Sequence, residues 1–493
     1  MRSKKKKKHR LNLAKFIPSV VIIALIIFGA VTLLWPETLP GPEIINAPEE
    51  TTKTIRISCV GDIMTHTPQI DAAYNGDGSY YTYNTGGTSS NIKTDGSFDY
   101  TPGFEYVRKY FEAADLVLGN IETTFSDDDL YKGYPGFDSP AVLAQNVKSV
   151  GIDVALFANN HMLDTKLAGA KRTAQALKDA GLEVVGARTD TSANRSIVFE
   201  NSGLRIGVIA YTYETPLVNG QRTLNGSSGS GMNSGAPDYI NTFRYTNSDV
   251  NETDKAAMKA EIEWCRENGA QIVIAYLHWG NEYQKNPSKN DKALAQYLAE
   301  NGVDIIFASH PHVLQMIDKI EVEVPFNEEW SEQVYPRFGE TPERTKLQQF
   351  KLKLGTAREE PLPLLDPVER VKTYVKTVPV YYSMGNFISN QRSETLTDAY
   401  GADTARRTEQ GMIACVELTY NEASGEISFS EIDCVPTWVD KYKVGSKTVY
   451  KVIPLLDDLD ANPALKTSGH AARAKAALKE ITQLLGDEYI KTN

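Results

Sequence analysis

The chain has 493 residues, 41% hydrophobic and 23% charged, which is enough for one large domain or two ordinary ones with a substantial core. Its net charge is −11, and the eight Lys and Arg that precede the first acid, Glu37, leave −19 on the remainder. So acidic a body excludes a nucleic-acid binder, which needs a basic footprint. Four scattered cysteines, Cys59, Cys265, Cys415 and Cys434, exclude a zinc knuckle or a disulfide scaffold.

Residues 1–15 form a basic tail, and Phe16 to Trp35 is an apolar run without a charge. At about 1.5 Å per residue, roughly twenty residues span a bilayer's hydrocarbon layer. The run exceeds a signal-peptide core of about 7–15 residues, and no A-x-A site follows it. The expectation is a transmembrane signal anchor over 16–35, with the N-terminus cytoplasmic and the main domain outside the cell. A cleaved signal sequence is the alternative and leads to the same side. Residues 36–54 are rich in Pro and Glu and read as a stiff stalk.

From Ile55 to about residue 455, helical patterns alternate with short β-branched runs. Helices are predicted over Ala141–Val150, Lys171–Ala180, Ala256–Asn268 and Asp291–Glu300, each followed by a strand: Asp153–Ala158, Leu182–Val185, Ile272–Leu277 and Val303–Ala308. Gly151, Gly181, Gly269 and Gly302 stand between helix and strand, where a helix end favours positive φ. This alternation predicts an α/β fold. Three stretches interrupt it: Tyr74–Tyr100, Val218–Asp249 and a long charged insert, Ile317–Thr377. Loops of such length are covers or mobile segments. The tail, 456–493, carries a helix over Ser468–Leu485, read as packing or a surface appendage.

Six apolar runs end abruptly in polar motifs: Gly61-Asp62-Ile63-Met64, Gly119-Asn120-Ile121-Glu122, Asn159-Asn160-His161, His278-Trp279-Gly280-Asn281-Glu282, Ser309-His310-Pro311-His312 and Gly385-Asn386-Phe387. In α/β sheets the ligand crevice lies beyond the carboxyl ends of strands, so six such ends can converge on one site. Four of the seven histidines, His161, His278, His310 and His312, sit in these motifs beside Asp62 and Glu122. Imidazole with carboxylate suits Zn, Mn or Fe. In His310-Pro311-His312, an extended chain places residues i and i+2 on one side, and Pro311 favours an extended His310; a turn with two surface histidines is the competing reading. Asn159 to Asp164 is read as opening a helix on which His161 and Asp164 are neighbours, with Asp164 holding the imidazole tautomer. Glu282, near His278, is either a supporting residue or a solvated one. Tyr211 and Glu214 end another apolar run and are possible pocket residues with Asn120 and Asn386. His66 is read as surface or loop.

In this order the motifs GDIM, GNIE, NNHMLD, HWGNEY, SHPHV and SMGNF resemble the CapA (poly-γ-glutamate capsule synthesis) family of the metallophosphoesterase superfamily, over roughly Ile55 to Asn390. The resemblance implies a layered sandwich with helices outside two central mixed sheets. It implies a place in the cell envelope, assisting synthesis or export of poly-γ-glutamate or a related anionic polymer. It implies Asp62, Asn160, His278, His310 and His312 as ligands of one or two divalent ions, with Glu122 as the nearby carboxylate. His161 is implied as the acid that protonates a leaving group. Met64 stands where the superfamily places a ligand histidine and Asn120 where it places a metal-bridging aspartate. Three functions compete: a metal-dependent hydrolase or transferase on an envelope polymer, a non-catalytic metal- and polymer-binding component of an export assembly, and a secreted metallophosphatase.

Overall fold

The computed structural model describes residues 51–84, 90–127, 129–226, 232, 235–246, 249–325 and 373–491. The basic tail, the apolar run 16–35, stalk residues 36–50 and insert residues 326–372 lie outside the described residues. Among the described residues no helix is long and apolar enough to cross a membrane.

The fold is mixed α/β, as expected. Its large sheets are built, in chain order, from β1 (Thr52–Ile63), β2 (Leu116–Ile121), β3 (Val154–Leu156), β4 (Glu183–Val185), β5 (Ile197–Asn201), β6 (Leu204–Tyr213), β7 (Thr242–Phe243), β8 (Ile272–His278), β9 (Ile305–Ser309), β10 (Ile317–Pro325), β11 (Thr373–Tyr381), β12 (Asn386–Ile388), β13 (Gln410–Asn421), β14 (Ile427–Val444) and β15 (Lys447–Pro454). One sheet runs β15-β14-β13-β1-β2-β3-β4, with β12 also on β1; the other runs β7-β6-β8-β9-β11-β10, with β5 on β6. Both mix parallel and antiparallel pairs.

The central strands β2, β3, β8 and β9 are buried at every position because both of their faces are covered. Side chains alternate across a strand. Thus Ile272, Ile274 and Tyr276 of β8 and Ile305 and Phe307 of β9 share a buried cluster with Ile55, Ile57 and Cys59 of β1 and Leu116 and Leu118 of β2. This is the layer between the sheets. The alternate residues Val273, Ala275 and Leu277 pack outward in a cluster with Met258 and Ile262 of helix α3 (Glu252–Glu267) and Leu294 and Leu298 of α4 (Lys289–Glu300). On the other sheet's outer side, Val117 and Ile121 cluster with Leu143 and Val147 of α1 (Val142–Ser149) and Ala174 and Leu177 of α2 (Lys166–Asp179). Helix α4 starts where Ser288 accepts the Asp291 N–H and the Asp291 carboxylate accepts the Ser288 N–H, a reciprocal cap. Gly151, Gly181, Gly269 and Gly302 all take the positive φ expected of them.

Two expectations change, and the choice left open for the C-terminal helix is decided. Ile317–Thr377 does not run as one loop: its ends are the antiparallel strands β10 and β11, in which Ile320 and Val322 alternate with charged residues. That period of two was the overlooked signal. Tyr74–Tyr100 likewise carries strands, Tyr80–Asn84 and Ser90–Thr94, in a small three-stranded sheet with Leu130–Lys132. The C-terminal helix, α5 (Ala471–Leu485), is packing and not an appendage, because Ala474, Ala477, Ile481 and Leu485 belong to the cluster between the sheets.

Ile481 is fully buried, so Ile481→Ala should lower the unfolding free energy by about 2–4 kcal/mol in denaturant titration. A change under about 0.5 kcal/mol would mean that the helix is dispensable.

Candidate metal centre

The centre forms where the carboxyl ends of β1, β2 and β3 in one sheet meet those of β8 and β9 in the other. Asp62 lies at the end of β1, beside Asn120 on one flank and Asn386 on the other, at an irregularity in register that re-aims the strand end. The approach is close: a Cβ on Gly61 would stand 2.0 Å from the Gly385 carbonyl oxygen, to which Asp62 N–H donates at 3.1 Å. Only glycine permits it.

Asn120 organises the acids. Its Nδ2 donates to Asp62 Oδ1 (2.8 Å) and Glu122 Oε2 (3.1 Å), while its own Oδ1 accepts from Asn159 Nδ2 (3.1 Å). Both carboxylates are completely buried. Burial, and then the charge of Asp62, push the Glu122 carboxyl well above the usual carboxylate range. The second sheet supplies imidazoles. His278 Nε2 lies 3.6 Å from Glu122 Oε1 and 2.9 Å from Asn160 Oδ1. His312 Nδ1 lies 3.0 Å from Asp62 Oδ2 and 3.1 Å from Asn386 Oδ1. His310 packs its ring 4.8 Å from His278 and 5.9 Å from His312.

Burial, and then the neighbouring imidazoles, hold His278 and His310 well below the usual imidazole range, the neutral form a metal requires. Burial also opposes charge on His312, but its hydrogen bond to Asp62 and the charge of Asp62 outweigh that and raise its pKa. Two groups of ligand atoms, Asp62 with Glu122 and His278, and Glu282 with His310 and His312, each lie within 4.8 Å of one another. Glu122 Oε1 and His310 Nδ1 are buried without a hydrogen-bond partner. An unsatisfied carboxylate oxygen and an unsatisfied imidazole nitrogen, facing a set of N and O donors, fit a divalent transition ion.

His310 and His312 do not converge as residues of an extended chain. Their φ values are +104° and +57°, in the region that few non-glycine residues adopt. The turn around Pro311, and not strand alternation, brings both rings inward; such strain persists only where surrounding structure imposes it. Likewise His161 and Asp164 are joined by a turn, and helix α2 starts only at Lys166. The pairing itself stands: His161 Nδ1 lies 2.8 Å from Asp164 Oδ2, which also accepts the Phe137 N–H at 2.6 Å. With Nδ1 engaged, Nε2 is the nitrogen left for chemistry.

The family model of bacterial capsule synthesis proteins (PGA_cap) matches residues 56–391, which contain every one of these side chains. The chain belongs to that family. It is 32% identical to capsule biosynthesis protein CapA of Bacillus anthracis over 223 residues, 44% of this chain and 49% of that protein. It is 28% identical to PGA biosynthesis protein CapA of Bacillus subtilis (strain 168), again over 223 residues, 44% of this chain and 52% of the relative. A probable polyglutamine synthesis accessory protein of Mycobacterium tuberculosis (strain H37Rv) is 26% identical over 213 residues, 41% of this chain and 50% of the relative. The chain spans about half the length of these relatives.

Within this family member, Asp62, Asn120, Glu122, Asn160, His161, Asp164, His278, His310, His312 and Asn386 come together, with the exposed Glu282 at the edge. Tyr211 and Glu214 do not join them. Tyr211 lies in the outer cluster with Met258 and Ile262, and Glu214 pairs with Arg222 and Thr242. Tyr213 takes that place, its ring 4.6 Å from His310. The YTYET run offered both tyrosines, and only the end of β6 distinguishes them. Asn159, named in its motif without a role, holds Asn120, and Asn225 had no sequence signal. Asn225 places Oδ1 3.3 Å from Asn160 Nδ2 and its own Nδ2 3.3 Å from His161 Nδ1, from a loop whose Gly/Ser-rich sequence gives no signal. His66 is on a loop, as expected, but half-buried instead of on the surface; its Nδ1 accepts from Asn390 N–H at 3.3 Å.

Burial pushes the His66 imidazole from its ordinary 6.5 down to about 3. A base held down in the folded state leaves stability intact above its unfolded pKa. Stability is then lost as pH falls from about 6.5 toward 3, by up to ~1.4 kcal/mol per pH unit. In chelator-treated protein the unfolding midpoint should therefore fall across this window, and His66→Asn, which keeps an acceptor, should flatten the fall. Parallel pH profiles for the two proteins would remove His66 from the acid response.

Proposed function

We propose that the chain is a membrane-anchored, extracytoplasmic hydrolase or transferase that depends on a divalent metal and acts on an anionic envelope polymer such as poly-γ-glutamate. In this reading the two packed sheets are a metallophosphoesterase-like layered sandwich. The observation that carries it is the division of labour at the centre: one carboxylate–imidazole set with unsatisfied buried donors, and a separate His161–Asp164 pair at its side. The family match and the relatives' names support the polymer class. The basic tail and the uncharged run 16–35 support the anchor.

Asp62, Glu122, Asn160, His278, His310 and His312 are the residues to hold one or two ions of Zn, Mn or Fe, with Glu282 at the open edge. When bound, the ion supplies a Lewis acid for a phosphoester or amide oxygen. His161 delivers a proton from Nε2 to the leaving group, as a general acid. Asp164 accepts the Nδ1–H, fixes the tautomer and stabilises the protonated ring. Phe137, edge-on to His161 with ring centroids 4.7 Å apart, excludes water from that side. Asn120, where an aspartate would add a third buried charge, instead donates to the two carboxylates already present and keeps them aimed at one point.

Elemental analysis should find Zn, Mn or Fe in the purified protein, and changing His310 and His312 together to Ala should remove most of it and lower the melting temperature. Equal metal in both proteins would end the assignment. His161→Ala should keep metal and fold while turnover, or polymer output in cells, falls by about 10²–10⁴-fold. If His161→Ala instead complements a deletion strain as well as wild type does, the protein is a non-catalytic component of the export assembly. Protease added to intact cells or protoplasts should digest the folded domain, and full protection would reject the outward topology.

A further inference from the structure

The two ends of the Asn160 amide are not equivalent for holding an ion. A cation takes the oxygen of an amide and not its NH2 group, which only donates. Asn160 is buried and turns Oδ1 toward His278 Nε2 at 2.9 Å, so the oxygen faces the metal centre. Half a turn of the amide would put N–H donors there instead. Its other end, Nδ2, donates to Asn225 Oδ1 at 3.3 Å. Among the described residues this is the one hydrogen bond that Nδ2 makes. Asn225 has two ends as well, and its Nδ2 lies 3.3 Å from His161 Nδ1. Half a turn of Asn225 would therefore offer its oxygen to His161. Asp164 already takes the His161 Nδ1 proton, at 2.8 Å, which leaves the Asn225 oxygen to Asn160.

The chain holds Asn225 from both sides. Leu224 is buried in the cluster that contains Met162 and Leu163, and Gly226 N–H donates to Thr215 Oγ1 at 2.8 Å. Three residues earlier, Arg222 Nε donates to Glu214 Oε2 at 2.9 Å and Arg222 Nη2 donates to Glu214 Oε1, which also accepts the Thr242 hydroxyl at 2.7 Å. Glu214 is buried and directly follows β6. The forked ion pair thus fastens the short hairpin of Thr215–Val218 and Gln221–Thr223 to the end of that strand. The φ of Asn225 is +54°, a conformation that asparagine tolerates better than most residues.

We propose that Asn225 is a positioning residue for the metal centre: its side-chain oxygen holds Asn160 with Oδ1 turned inward, and the Glu214–Arg222 pair fastens the hairpin that delivers it. This deepens the reading above and rests on it, since it takes Asn160 as a ligand. Without the Asn225 oxygen, Asn160 Nδ2 is a buried donor with no acceptor. The amide then gains by turning its nitrogen toward the acceptors of the centre, and the ligand oxygen leaves its place. Supports of this kind behind a metal ligand contribute about 10–100-fold to metal affinity. Glu214, which stands apart from the centre, acquires a role through the same hairpin.

The test strips metal from the full-length chain and titrates Zn²⁺ back alone, in competition with a chromophoric chelator, with the metal-free melting temperature measured alongside. Asn225→Gly suits the positive φ and removes only the side chain. It should weaken Zn²⁺ binding by about tenfold and keep the metal-free melting temperature of wild type. Asn225→Asp, which keeps an accepting oxygen and tolerates the same φ, should bind Zn²⁺ as tightly as wild type. Asn160→Ala should weaken binding, and adding Asn225→Gly to it should weaken it no further, because a residue that acts only through Asn160 has nothing left to orient. Unchanged affinity in Asn225→Gly, an equal loss in Asn225→Gly and Asn225→Asp, a further loss in the double variant, or a metal-free melting temperature that falls with the affinity would each overturn the positioning role and leave the metal centre standing. No Zn²⁺ binding by wild type, or wild-type affinity in Asn160→Ala, would overturn the ligand assignment itself and this inference with it.

Discussion

Asp62 and Glu122 are two carboxylates without solvent exposure, and one amide group, Asn120 Nδ2, donates to both. Much of the centre's design follows from that shared donor. Two buried like charges repel, and each separately loses its hydration, so the pair needs positive charge or a proton to persist. The structure answers with His312 beside Asp62, where despite burial the contact raises the imidazole pKa, and leaves one Glu122 oxygen unsatisfied next to His278. Asn159 holds Asn120, and Asn160 faces His278, so the two consecutive asparagines serve different layers of the same centre.

The sandwich makes that centre possible because it leaves polar groups few other buried places to go. Both faces of both sheets are covered with apolar side chains. Polar residues therefore collect at the strand ends, and the close packing of the sheets brings those ends together. The contact of Gly61 with the Gly385 carbonyl closes the seam between β1 and β12. The positive-φ turn at His310 and His312, with Tyr283 beside it, supplies the other wall. Backbone strain and missing side chains here serve one end: to let chemically active groups approach more closely than regular strands allow.

Electrostatics set a further condition. A body carrying −19 outside the N-terminal basic segment repels polyanions over a distance of about a Debye length, roughly 8–10 Å. An anionic polymer can be engaged only at short range, through bound cations or through its uncharged portions.

Much of this was legible in the sequence. The alternation of helical patterns with short β-branched runs gave the α/β class. The abrupt endings of six apolar runs gave the centre's membership, because burial of both sheet faces forces polar groups to strand ends whatever the exact topology. Local geometry was less legible. The His161–Asp164 pairing was correct on the wrong element, and His310 and His312 converge by a turn that the extended reading did not contain. Tyr211 and Tyr213 have the same parity and the same neighbours in sequence, so only the point where β6 ends selects Tyr213. Asn225 comes from a loop whose composition carries no period. Sequence by itself determined which residues must be buried or gathered, since hydrophobicity and hydrogen-bonding capacity belong to each side chain. Tertiary structure alone decided which gathered groups face one another, since distances between residues far apart in the chain depend on how the two sheets are packed.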